Sequence, residues 1–456
     1  MEQEFLTAEE ISELIKERRF SELKVYLNET NPADIAELLN ELQREQYLIL
    51  YRLLPKELAA EVFVDLDTDL QESLIGAFSD VELKQMLDEL YLDDTVDIIE
   101  EMPATVVRRI LANSTPHSRK VINTLLKYPE DSAGSLMTPE YIGLKKDWTV
   151  EQAFELIRKV AIDKETIYTC YVTDQKRVLI GLVTAKMLLL ADRDQLIGDI
   201  MEENVIAVST TEDQEVVAQM IEKYDFLALP VVDAENRLVG IITVDDVIDV
   251  MQEEIEEDIA KMNAIAVSEK PYLKTTVFEL WKNRIPWLLL LMVSATFTGM
   301  IISGFEDALA VQAALTAFIP MLMGTGGNSG SQSSVTIIRA LSQGEIEFKD
   351  IFRVVWKEIR VAVLCGISLA IGTFVKIILI DNLLLQSAIS LPVAAVVCVT
   401  LCVTVFCAKF IGCTLPMLAE KVGLDPAVMA SPFITTIVDA VSLVVYFQVA
   451  GAMFGW

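Results

Sequence analysis

From Arg284 to its end the chain has the composition of a membrane-spanning helical bundle. That stretch carries 10 of the 68 acidic residues and 9 of the 37 basic ones; the residues before it carry the other 58 and 28, a net charge of −30. Lipid offers no partner for a free backbone N–H or C=O, so a spanning segment must be a helix of about 20 mainly apolar residues. Five segments qualify: residues 285–305, 309–341, 361–380, 391–413 and 427–454. Basic residues alternate between the connections. Lys270, Lys274, Lys282 and Arg284 precede the first segment, and residues 304–308 have none. Lys349, Arg353, Lys357 and Arg360 lie in residues 342–360, and residues 381–390 have none. Lys421, with Lys409 near the end of the fourth segment, follows, and the tail has none. By the positive-inside rule the N-terminus is cytoplasmic and the C-terminus outside, which requires an odd number of spans. The expectation is a multi-pass protein of the plasma (inner) membrane with five transmembrane helices.

Composition removes several functions. An acidic chain cannot neutralise phosphates, so nucleic acid is not an expected partner; cations are. Residues 1–30 are charged and amphipathic, unlike a secretory signal. Five of the six cysteines fall in the apolar half and no CxxC occurs, so a disulfide framework is not expected. His117 is the only histidine, which disfavours His-based zinc chemistry and acid–base catalysis. No P-loop is present, so the chain is not expected to be an enzyme.

Two features of the apolar half are energetically unfavourable unless used. Asp439 sits deep inside the last apolar segment, where a carboxylate costs roughly 2.5–3.5 kcal/mol on insertion scales. Either it is protonated and hydrogen-bonded to a neighbouring helix, or it is a cation site in a pore. The run Gly324-Thr325-Gly326-Gly327-Asn328-Ser329-Gly330 is poor helix-forming sequence. It reads either as close small-residue helix packing or as a helix break or narrow pore wall at Gly326, Gly327 and Asn328. Small polar groups suit an ion that keeps part of its water shell, as magnesium does.

The acidic half is modular. Residues 1–130 look helical, with a 24-residue repeat that aligns Asn31, Pro55, Ser79 and Pro103, each expected to begin a helix. Leu50, Leu74 and Ile98 follow at a fixed offset, giving two short helices per unit and a small α-solenoid. Asp93, Asp94, Asp97, Glu100 and Glu101 crowd its last full unit, either a solvated face or a binding face. Residues 131–250 switch to short β-like runs and repeat internally. Ser135-Leu136-Met137 returns as Asp199-Ile200-Met201, and 178–184 returns as 237–243. This resembles a tandem pair of cystathionine-β-synthase (CBS) modules, an α/β fold, with modules at 131–200 and 201–250. Such pairs often bind adenine nucleotides through a Thr and a following Asp, which Thr243 and Asp246 match. The first copy has Thr184 followed by Ala185-Lys186-Met187, so the resemblance implies one nucleotide site at most. Residues 244–268 read as an acidic helix leading to the membrane, within a connecting segment 244–283. Its like charges repel unless something neutralises them.

Solenoid, CBS pair, acidic connecting helix and five spans with Gly324-Thr325-Gly326-Gly327-Asn328 and Asp439 together resemble the MgtE family of magnesium channels, over nearly the whole chain. The resemblance implies a homodimer with the pore at the dimer axis, residues 284–456 forming the pore domain. It implies Mg2+ as both cargo and regulator, with ATP a possible ligand of the CBS pair. It makes Asp439 the pore ligand. It makes Asp93 and Asp97 of the solenoid, Glu215 and Asp225 of the CBS pair, and Asp246, Asp249, Glu254, Glu257 and Asp258 of the connecting helix sensor ligands. High cytosolic magnesium would bridge these acids and close the pore. The competing readings are a carrier for other divalent cations and a nucleotide-sensing membrane receptor.

Overall fold

The computed structural model describes residues 6–266, 272–273, 275–306, 313–387, 389–429 and 431–455. The chain divides into two compact units, Met1–Met251 and Gln252–Trp456.

Ten helices open the first unit. They are α1 (Ala8–Lys16), α2 (Phe20–Glu29), α3 (Pro32–Glu41), α4 (Arg44–Tyr51), α5 (Lys56–Val64), α6 (Thr68–Ala77), α7 (Asp80–Leu87), α8 (Leu92–Glu101), α9 (Ala104–Asn113) and α10 (Pro116–Leu125). The repeat read from sequence is a repeat in space. Asn31, Pro55, Ser79 and Pro103 are the N-caps of α3, α5, α7 and α9. Asn31 accepts the Ala33 N–H, and Ser79 exchanges bonds with Glu82 in a capping box. The second helix of each unit also starts at a fixed 24-residue interval, at Arg44, Thr68, Leu92 and Pro116. Helices this short are marginal alone. Stacking holds them, with Leu50, Leu74, Ile98 and Ile122 buried at equivalent places in one continuous core.

Two three-stranded sheets follow. In the first, β1 (Ile142–Leu144) pairs parallel with β2 (Thr169–Thr173), which pairs antiparallel with β3 (Leu179–Thr184). The second repeats the order with β4 (Val208–Ser209), β5 (Ala228–Val232) and β6 (Leu238–Thr243). Around them lie α11 (Ala133–Leu136), α12 (Val150–Val160), α13 (Ala185–Leu190), α14 (Ile197–Ile200) and α15 (Gln214–Tyr224). The two copies interlock through the motifs that repeat. Met137 sits over Gly240, where an added Cβ would lie 2.8 Å from its Sδ. Met201 sits over Gly181, where the corresponding distance is 2.7 Å. Each glycine makes room for a methionine, which is why both motifs recur.

The unit boundary falls inside α16 (Val244–Met262). The second unit continues with α17 (Val277–Gly304), α18 (Ile319–Ser342), α19 (Ile351–Lys376), α20 (Leu391–Lys421) and α21 (Ser431–Phe454). Among the described residues, four helical stretches are long and apolar enough to cross a membrane: Val277–Gly304, Phe348–Leu384, Leu391–Lys421 and Pro426–Phe454. The expected second span is α18, whose Gly, Ser and Asn residues dilute its hydropathy, so it is not one of those four. The start of that expected segment, from 309 to 312, and Lys270 and Lys274 lie outside the described residues.

Two sequence expectations are corrected here. The third helix begins at Ile351, ten residues before the expected 361, and runs through a π-helical turn, Ile377–Leu384. Arg353, Lys357 and Arg360 are therefore helical, not loop residues, and Lys376 within the helix is bonded to Asp381 at 2.9 Å. The glycine-rich run is no break. Residues 324–334 are continuous α-helix, and at Gly326, Gly327 and Gly330 neighbouring helices come so close that a side chain would not fit. A Cβ on Gly326 would lie 2.7 Å from Ser442 Oγ and from Thr404 Cγ2. One on Gly412 would lie 2.3 Å from the Gly330 carbonyl oxygen. These contacts are small-residue helix packing, and they remove the break but not the pore wall, which a continuous helix can also form.

Candidate ion sites

Asp439 lies in the middle of α21, facing α18. Gly327 leaves the space beside it: a Cβ there would lie 3.5 Å from Asp439 Oδ1 and 2.8 Å from Thr435 Cγ2. Asp439 Oδ1 is buried and has no hydrogen-bond partner. A protonated acid bonded through that oxygen to a neighbouring helix is thus not what the structure shows. Thr400 and Thr404 of α20 also present buried hydroxyls without partners. Of the residues expected to line a pore, Gly327 adjoins Asp439 and Gly326 is buried against Thr404 and Ser442. Asn328 is exposed on the opposite side of α18, in line with Gly324 and Gln332.

The first unit gathers carboxylates from separate modules. The first turns of α8 carry Asp93, Asp94 and Asp97. Asp93 is only 8% exposed, and its Oδ1 has no partner. The CBS pair brings Glu140, Glu165 and the first turn of α16, with Asp245 and Asp246. Glu140 Oε2 accepts the Leu92 N–H at 3.4 Å, and Glu165 Oε2 is a second buried oxygen without a partner. Burial, then the charges of Asp94, Glu165 and Asp246, push the Asp93 carboxyl well above its ordinary range. Burial and then Asp246 and Glu140 raise Asp94 to about 7. Burial, Asp94 and Asp246 raise Asp97 to about 7. Burial and then Asp246, Asp94 and Asp245 raise Glu165 to about 8. Asp246 itself is raised by burial, although Thr243 donates its hydroxyl to Asp246 Oδ2 at 2.6 Å. One turn on, Asp249 faces Asp65 of the solenoid, whose carboxyl burial and that charge raise.

Such a set is unfavourable without a cation. Among the described residues, no three acids converge closely enough to grip a bare metal ion. Acids that face one another at longer range suit an ion that binds through its water shell, which is magnesium's habit. Of the expected sensor ligands, the structure brings together Asp93, Asp97 and Asp246, with Asp249 beside Asp65. Sequence reading missed Glu140, Glu165 and Asp65 as members, because only the fold brings them to α8 and α16.

Glu215 and Asp225 are separated. They bracket α15, Glu215 in its first turn and Asp225 as its left-handed C-cap at φ 53°. About 15 Å of helix lies between them, so they do not share an ion within one chain. Glu254, Glu257 and Asp258 fall in the second unit. Glu257 bonds Lys261 at 2.6 Å, and Lys261 reaches Asp425 at 2.8 Å. Asp258 accepts the Ser342 hydroxyl at 3.0 Å, while burial raises its carboxyl. Asp425, which precedes α21, is another acid that the sequence reading did not single out.

Lys409, expected near the end of the fourth segment, lies inside α20; it is buried, 3.7 Å from Glu358 of α19.

Three kinds of likeness accompany this geometry. Residues 319–449 match a family model described as MgtE, divalent cation transporter. Residues 30–131 match the MgtE intracellular N domain, and 133–194 and 197–253 match CBS domains. The magnesium transporter MgtE of Thermus thermophilus is 38% identical over 444 residues, 96% of this chain and 97% of that protein. The magnesium transporter MgtE of Bacillus subtilis is 32% identical over 447 residues, 96% of this chain and 95% of that protein. The crystal structure of the cytosolic domain of the Mg2+ channel MgtE in complex with ATP is similar at TM-score 0.51 and 39% identity. It covers 53% of this chain and 99% of that one.

Proposed function

The chain belongs to the MgtE family, and from that premise we propose that it carries Mg2+ across the plasma membrane and is closed by the Mg2+ that accumulates inside. The observation that carries the transport reading is the buried, unpartnered Oδ1 of Asp439 beside Gly327. A desolvated carboxylate oxygen with no donor has an unmet demand for positive charge, and a passing hydrated cation meets it. The membrane potential, inside negative, supplies roughly 2.3 kcal/mol per charge per 100 mV, doubled for a divalent ion. No hydrolytic step is then needed, which accords with relatives named as transporters.

The regulatory part rests on the acid cluster of α8, Glu165 and the start of α16. Its charges repel when ionised, and magnesium bound among them favours the compact arrangement. Helix α16 is the proposed link, because the same helix carries Asp246 in its first turn and, in the second unit, Lys261 bonded to Asp425. Five spans, a cytoplasmic N-terminus, an outside C-terminus and a homodimer complete the reading. The spans and the orientation are supported by the alternation of basic residues between the apolar segments and by five long helices among the described residues; the homodimer rests on the family resemblance alone. Glu215, Asp225, Glu254, Glu257 and Asp258 remain proposed ligands, Glu215 and Asp225 in separate sites. ATP is a second proposed ligand, supported by the relative solved with ATP and by Thr243 and Asp246 standing bonded at the end of β6. Asp246 would serve both ligands, so the two bindings would be linked.

The test is growth. This chain should rescue a cell deficient in magnesium uptake at low external magnesium, and Asp439→Ala, present at equal level in the membrane, should not. Equal rescue by both would remove Asp439 from the path.

A further inference from the structure

The transport reading gives no role to a buried ion pair between two of the bundle's helices. Lys409 of α20 and Glu358 of α19 have side chains only 7% and 13% exposed, with Nζ 3.7 Å from Oε2. Ser333 of α18 donates its hydroxyl to the same Oε2. Three helices therefore meet at one carboxylate oxygen.

A buried ion pair is a weak source of stability, because desolvating two charges offsets most of their attraction. Its better-attested use is to fix register. Ionisable groups at membrane depth are also functional more often than ornamental. The neighbours show what register would matter here. Gly412, on the same helix as Lys409, meets Gly330 of α18 so closely that a Cβ would lie 2.3 Å from the Gly330 oxygen. Gly330 in turn sits against Ile434 and Val438 of α21, at 3.0 and 3.1 Å from a built Cβ. Val438 precedes Asp439, and Gly327, one turn before Gly330, leaves the opening beside Asp439 Oδ1. Glycine faces allow close approach but have no side chains to stop one helix sliding along another. Directional contacts can: the Ser333–Glu358 hydrogen bond links α18 to α19, and the Glu358–Lys409 ion pair links α19 to α20.

We propose that Ser333, Glu358 and Lys409 form a clamp that sets the register of α18 against α19 and α20, and so gives the site at Asp439 its discrimination among divalent cations. The proposal rests on transport through Asp439. The three are positioning residues; none touches the ion.

The test uses the full chain in liposomes, with Mg2+ and Ca2+ flux measured separately and normalised to folded protein by thermal unfolding. E358L/K409M removes both charges and leaves none unpaired, so it should fold about as well as the parent. Its preference for Mg2+ over Ca2+ should fall by about fivefold or more, the usual scale of coupling between sites. Ser333→Ala, which keeps the ion pair, should fall in the same direction by less. E358K/K409E, with the charges exchanged, should recover part of the preference. An unchanged ratio in folded E358L/K409M overturns the clamp; if that variant does not fold, an unchanged ratio in Ser333→Ala does so. A parent that passes no Mg2+ would instead count against the transport reading.

Discussion

Single residues carry the energetic argument, because each is held in a state it would not adopt freely. Gly412 is held by contact: Gly412→Ala would press a methyl into the Gly330 carbonyl, and overpacking of this kind costs about 1–3 kcal/mol. The expected result is a lower unfolding temperature in detergent, and an unchanged one would show that α18 and α20 can part freely. Asp93 is held by burial among like charges. Asp93→Asn should make the metal-free first unit more compact and weaken its response to Mg2+, two opposite effects of one lost charge, read by protease resistance with and without the ion. If resistance is unchanged in both states, Asp93 is no ligand. Asp439 was legible in sequence because it is a lone acid in an apolar run. Lys409 and Glu358 were not: one lies near the end of its segment and the other in a basic stretch, and only packing across three helices reveals the pair. Glu165 was invisible for the same reason, being 72 residues from Asp93 in the chain.

At the scale of elements, the sequence was most readable where period and cap coincide. The 24-residue spacing and its Asn, Pro, Ser and Pro starts gave the solenoid, since a helix N-terminus needs a particular residue at one particular place. The glycine-rich run was harder, because intrinsic propensity argued for a break and tertiary packing overrode it in α18. Helix α8 against the start of α16 yields a pH prediction. Asp94 and Asp97 are raised to about 7 and Glu165 to about 8. Carboxyls raised above their unfolded value of about 4 contribute stability that is complete below that value and lost as pH rises through the raised ones. Without metal, the closed arrangement of α8 on the CBS pair should therefore loosen as pH rises through about 7 to 8. Magnesium must displace the same protons, so its apparent affinity for the first unit should rise from pH 6 to pH 8.5. Calorimetric titration at the two pH values checks both the affinity and the proton release. Affinity independent of pH would mean that these acids are not the ligands.

The whole molecule joins an acidic unit to an apolar one through α16, with acids of the sensor on its first turns and Asp425 bonded near its last. In the proposed function the charge asymmetry visible in the sequence has a use: self-repulsion at the acid cluster would oppose closure, and the transported ion would remove it. Two states biased by differential ion binding suffice for the feedback. The measurement that bears on this most directly is Mg2+ flux through the purified protein in liposomes, with magnesium on the cytosolic face varied and the driving force held constant. Flux should fall as cytosolic-face Mg2+ rises, and Asp93→Asn combined with Asp246→Asn should blunt that fall while leaving flux at low Mg2+ intact. Flux that does not respond to magnesium on that face would mean that the acid cluster does not close the pore.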